Sequence, residues 1–128
     1  MNPASRWALV AFGGALGSVA RYALGSWIQA RAGLAFPWGT FTVNLLASGI
    51  VGFVLRAATA GTLGPEARLF LAVGFCGGLS TFSTLAWETW AMLQQGEILR
   101  AVLYTQGSLL AGLLALALGY ATAAALLP

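Results

Sequence analysis

Four long apolar stretches alternate with short polar segments along this chain. They cover approximately residues 7–29, 38–58, 69–93 and 99–127. A helix needs about 20 apolar residues to cross the hydrocarbon core of a bilayer, so each stretch predicts a transmembrane helix. The pattern defines an all-α integral membrane protein, one domain over 1–128 with no linker, low-complexity segment or obvious repeat. The connections fall near 31–37, 59–66 and 94–98. Pro37 suits the start of a helix, and Gly61, Gly64 and Pro65 are turn signals. Connections this short make sequence neighbours antiparallel neighbours in space.

The third stretch breaks the pattern. It holds Gly74-Phe75-Cys76-Gly77-Gly78-Leu79-Ser80-Thr81-Phe82-Ser83-Thr84, two adjacent glycines and four hydroxyls inside an apolar span. Hydrocarbon offers free backbone groups no water, so a break near 77–81 survives only if buried in protein or lining a wet cavity. Gly77 and Gly78 are expected to release the backbone from helical dihedrals, exposing carbonyls and amides. Carbonyls ending the first half-helix can coordinate a hard cation. Amides and hydroxyls opening the second lie at its positive dipole end and favour an anion. The plainer alternative is a packing kink whose hydroxyls bond back to the preceding turn.

Composition narrows the chemistry. The chain is 59% hydrophobic and 7% charged, against roughly 25% charged in a soluble domain. That leaves little outside the bilayer for a soluble catalytic domain. Arg6 ahead of an apolar run has the look of a secretory signal, but Arg21 and the apolar continuation to Ile28 argue for a retained helix. The single cysteine, Cys76, excludes an intrachain disulfide. Histidine, aspartate and lysine are absent, which removes most acid–base and metal-ligand chemistry and makes an enzyme the least fitting class. The net charge of +3 is scattered, with no basic tract for nucleic acid.

The arginines bear on orientation. Arg6, Arg56 and Arg68 fall on one side; Arg31, Arg100 and Arg21, if it lies near the end of the first helix, fall on the other. Orientation follows an excess of Lys/Arg in cytoplasmic loops, and three against three gives almost none. Either another factor fixes a weakly specified topology, or chains insert both ways and pair as an antiparallel homodimer.

A second helical segment starting near Thr81 puts Thr81, Thr84 and Glu88 on one polar stripe. Glu88 is the only carboxylate well inside a span, which makes it a functional-site candidate by cost alone. It can instead be a structural partner of Arg21 or of a hydroxyl. Tyr104 and Ser108, four apart, can face the same stripe or serve helix pairing. Asn44 can donate to an anion or satisfy a neighbouring carbonyl. The positive edge of the Phe82 ring can stabilise an anion, although core packing explains that residue equally. Gly13 and Gly17 form a small-xxx-small pattern that Arg21 continues, and Asn44, Ser48 and Gly52 repeat the spacing. For Gly13, Gly17, Gly49 and Gly52, helix packing is sufficient.

At these residues the chain resembles the Fluc family of fluoride channels. The matching blocks are Gly13-Gly14-Ala15-Leu16-Gly17 with Arg21-Tyr22, Gly39-Thr40-Phe41 with Val43-Asn44, the whole run 74–84 with Glu88, and more weakly Tyr104 with Ser108. The resemblance covers essentially the whole chain, and its third block is the specific one. It implies an antiparallel dual-topology homodimer in the inner (plasma) membrane, embedded in lipid. Two pores would let cytoplasmic fluoride leave passively. It further implies a structural sodium ion at the dimer centre on the carbonyls of Gly77 and Ser80. Asn44 and Phe82 would lie at the pore, with Thr81, Ser83, Thr84, Glu88, Tyr104 and Ser108 on or near a polar track and Arg21 by a vestibule. Leu85 stands where the family usually carries a second phenylalanine, so half of an aromatic box is missing and slower conduction is expected. Ser80 replaces a common threonine, a mild change if its carbonyl is the ligand. The rival reading is a small proton-coupled multidrug transporter using Glu88, although such proteins carry their carboxylate in the first helix and this one has none there.

Overall fold

A computed structural model describes every residue from Met1 to Pro128. Helix α1 (Pro3–Ala32) opens under Asn2, whose side chain accepts from the Ser5 N–H at 2.8 Å, with Pro3 pre-set for the first turn. It closes at Gly33, where φ of +85° suits a residue without a Cβ. Helix α2 (Trp38–Thr59) starts directly after Pro37. The third span runs Pro65–Gln94 in pieces: α3 (Pro65–Arg68), a π-helical segment (Leu69–Cys76), α4 (Gly77–Leu79) and α5 (Phe82–Gln94). Helix α6 (Ile98–Leu126) completes the chain. These four rods are long and apolar enough to cross a membrane. The first starts four residues earlier than the hydrophobic pattern indicates, because the capping residue lies ahead of the apolar run.

Two close helix contacts organise the bundle: α1 lies along the first half of the third span, and α2 lies along α6. Both are backbone against backbone. A Cβ added at Gly13 or Gly17 would strike the carbonyl oxygen of Phe70 or Phe75, and one at Gly78 would strike the Gly14 carbonyl. On the other seam, Gly52 sits on the Leu116 carbonyl and Gly119 on that of Gly49. Lipid tails are as apolar as leucine, so membrane helices gain little by hiding apolar area from them; close packing through small residues replaces that force. Buried Val43, Ala47, Cys76 and Leu79 fill the space between the seams.

The third span breaks within the expected 77–81, but not at its glycines. Gly77 and Gly78 stay helical, with Gly77 at φ −62° and ψ −36°. The extended residues are Ser80 (φ −83°, ψ 158°) and Thr81 (φ −151°, ψ 113°). Gly78 is needed for close approach to α1, not for unusual dihedrals. Neither the π-helical turn pattern nor the exact break point is visible in an apolar-glycine run. Arg21 also lies well inside α1 instead of at its end, which leaves the loop arginines three against two.

These contacts predict a contrast. Gly17→Ala is expected to destabilise the folded protein by about 1–3 kcal/mol through overpacking. Gly64→Ala, where a Cβ meets open space, should stay within about 0.5 kcal/mol. Thermal denaturation of the purified protein in detergent measures both.

Candidate functional site

The break is held together from outside. The Asn44 Oδ1 accepts from the Thr81 N–H at 2.7 Å, and its Nδ2 donates to the Thr81 carbonyl at 3.2 Å. One side chain on α2 thus pairs with both backbone groups of an extended residue, as a neighbouring strand would. From α1, the Arg21 Nε donates to the Gly78 carbonyl at 2.9 Å, placing a cation on the negative end of the first half-helix. Arg21 therefore partners a backbone carbonyl and not Glu88. The Ser80 hydroxyl bonds back to the Cys76 carbonyl at 3.0 Å. Thr81 caps α5: its Oγ1 accepts from the Thr84 N–H at 3.2 Å and donates to the Thr84 Oγ1 at 2.9 Å.

These bonds redirect two amides. In a continuous helix the Thr81 N–H would serve the Gly77 carbonyl and the Thr84 N–H that of Ser80. Here the first turns to Asn44 and the second to the Thr81 hydroxyl. The Gly77 and Ser80 carbonyls lose their helical donors together, while Gly77 lies exposed. Uncharged oxygens of this kind are the donors a hard cation takes.

Beside the break lies an open polar cavity of about 660 Å³, reached from the end where the 33–37 and 95–97 connections meet. Thr81, Thr84 and Glu88 line it from α5, Arg21 and Gln29 from α1, and Thr40 from α2. The predicted stripe is real and faces this space. At its foot the Tyr104 hydroxyl donates to the Glu88 Oε1 at 3.4 Å, and Thr40 lies beside the pair. Tyr104 is 1% exposed, its ring edge-on to Phe36 with centroids 5.2 Å apart.

The other candidate residues lie elsewhere. Ser108 is buried a turn along α6 from Tyr104, its Oγ without a partner. Leu85 packs on the Met92, Ala101 and Tyr104 cluster. Phe82 is 82% exposed and Ser83 is exposed beside it, both on the outer surface of the single chain. Asn44 is spent on Thr81 and does not line the cavity. Gly13 and Gly17 serve packing. Thr40 is an addition. Its place in the Gly39-Thr40-Phe41 block was the usable signal.

Four spans, a helix break whose backbone is paired by other helices, and a polar stripe on an open cavity define a small multi-pass membrane protein with a site for polar solutes. Residues 8–120 match the model of the family described as CrcB-like protein, Camphor Resistance (CrcB). A protein of Thermus thermophilus named fluoride-specific ion channel FluC is 54% identical over 121 residues, covering 94% of this chain and 95% of the relative. A protein of the same name from Chlorobium chlorochromatii is 46% identical over 124 residues, covering 96% and 95%. This chain belongs to the CrcB family.

Asn44→Leu keeps the volume but strands two backbone groups of Thr81, each costing about 1–3 kcal/mol. Ser48→Ala removes only a bond to the Asn44 carbonyl within the same helix. Thermal denaturation is expected to show a large loss for the first and a small one for the second.

Proposed function

We propose that this protein is a fluoride-selective channel through which cytoplasmic fluoride leaves down its own gradient. The observation that carries the reading is the hydroxyl stripe of Thr81 and Thr84 on an open cavity at a helix break, in a chain whose relatives are named fluoride-specific channels. Fluoride is small, strongly hydrated and a strong hydrogen-bond acceptor. A path must replace its water with donors, yet release it again. Neutral hydroxyls meet both needs better than a free ammonium or guanidinium, which would hold the ion. Arg21 is tied to the Gly78 carbonyl, so it contributes positive potential at the cavity without standing loose in the path. The Oε1 of Glu88 is engaged by Tyr104, which takes one acceptor oxygen out of an anion's way. The same engagement disfavours the multidrug-transporter reading, which needs a carboxylate free to exchange a proton with its substrate.

The working unit in this reading is an antiparallel homodimer with two pores. Phe82 and Ser83, outward-facing on one chain, then face the partner, and Phe82 supplies a ring edge to passing fluoride. Asn44 acts at the pore through the Thr81 backbone it holds, and Ser108 offers an unspent hydroxyl deeper along α6. The carbonyls of Gly77 and Ser80 fit a sodium ion at the dimer centre, because both have lost their helical donors and Gly77 is exposed. Its chemistry there is that of a structural cross-link.

Efflux from liposomes containing the purified protein tests the function, with fluoride run beside chloride. Fluoride-only efflux that Phe82→Ile suppresses, with the dimer intact, is the expected result; folded dimer without fluoride flux rejects the reading. Leu85→Phe is expected to raise the rate, and an unchanged rate would show that a second ring is not limiting. For the assembly, reporter fusions at Pro128 should appear on both sides of the membrane, and dimer melting should fall when sodium is replaced by a bulky organic cation. One-sided fusions reject dual topology, and sodium-independent melting rejects the ion.

A further inference from the structure

Gln29 closes the connection between α1 and α2 with a single amide. Its Nε2 donates to the carbonyls of Gly33 and Phe36, and its Oε1 accepts from the Gly39 N–H at 3.1 Å. The helix end does not require this side chain, because the Gly33 N–H already returns to the backbone carbonyl of Gln29 at 3.2 Å. The amide therefore serves the connection and the first turn of α2. One turn earlier on α1, Gly25 gives the second hold: a Cβ at Gly39 would strike the Gly25 carbonyl. Together Gln29 and Gly25 grip the start of α2 at two points.

What they grip is the back of the site. Phe36 packs on Trp38 (4.6 Å between centroids), Phe41 (6.2 Å) and the buried ring of Tyr104 (5.2 Å). Tyr104 in turn donates to Glu88. Thr40, next to Gly39, lies beside that same pair. Gln29 touches neither Glu88 nor Tyr104, yet it holds the ring behind one and the backbone ahead of the other. Residues 34–37, which it pins, also line the mouth of the cavity.

We infer that Gln29 is a positioning residue for conduction, fixing the Thr40–Tyr104–Glu88 group against the hydroxyl stripe through Phe36 and Gly39. The inference rests on the fluoride-channel reading. It makes Gln29 act through Phe36, so the two residues must be coupled.

The test uses the full chain in liposomes, with fluoride efflux read beside backbone amide exchange. Gln29→Met keeps the length and loses all three bonds. It is expected to slow efflux by about tenfold, within the range set by second-layer couplings. Protection of the Gly39 amide should be lost, while exchange in α5 and α6 and the dimer's elution stay as in wild type. Phe36→Leu is expected to slow efflux similarly, and the double variant to be no slower than either single one, the signature of one shared route. Gln29→Glu keeps an acceptor for Gly39 but cannot donate to Phe36. Read at high salt to screen its charge, it should restore Gly39 protection while efflux stays below wild type. Wild-type efflux from either Gln29 variant overturns the role, as do Gln29 and Phe36 effects that multiply. A wild-type chain that passes no fluoride overturns the channel reading itself and this inference with it.

Discussion

Unpaired backbone groups in hydrocarbon cost several kcal/mol each, and the architecture of the third span follows from that constraint. Breaking a helix at Ser80 and Thr81 removes local partners, so partners must come from other helices. Asn44 supplies two of them and Arg21 a third. Arg21 is within reach because glycines let the backbones touch: Gly13 and Gly17 bring α1 onto the first half-helix, and Arg21 continues their row to the Gly78 carbonyl. The break is therefore a property of three spans at once. A kink made by glycine alone would leave it far less defined.

The polar groups of the site divide into committed and available ones. Asn44, Arg21, Ser80 and Gln29 are occupied with backbone, and the Thr81 hydroxyl donates to Thr84, which leaves the Thr84 hydroxyl proton free along the cavity wall. In the channel reading this division suits rapid passage, since an ion would meet neutral dipoles held in place by groups that it does not displace.

Much of this was legible in the sequence, for a physical reason. Transmembrane helices must be long and apolar, so their number and approximate limits are written in composition, and a run such as 77–84 is too costly to be incidental. The stripe of Thr81, Thr84 and Glu88 followed from helical periodicity once a start near Thr81 was assumed. Long-range pairing was harder to read. Nothing near Asn44 indicates that its amide spans to a residue 37 positions away, or that Arg21 seeks a carbonyl instead of Glu88. The glycines show the limit most clearly: their spacing announced close packing, but whether Gly77 and Gly78 bend the chain or merely let a neighbour approach depends on what lies opposite. Gln29 and Thr40 do not stand out, because each sits at the end of an apolar stretch, where polar residues are expected in any membrane helix.

The bond from Arg21 to Gly78 spans 57 positions, and this has a consequence for biosynthesis. The ribosome adds about 5–20 residues per second, so α1 reaches the membrane seconds before its partner carbonyl exists. During that interval the helix carries an unpaired guanidinium in its interior, at a cost of about 2.5–3.5 kcal/mol on insertion scales. The first span is thus a poor anchor at the moment when orientation is normally decided. Its full stabilisation is deferred until the third span arrives to supply that carbonyl.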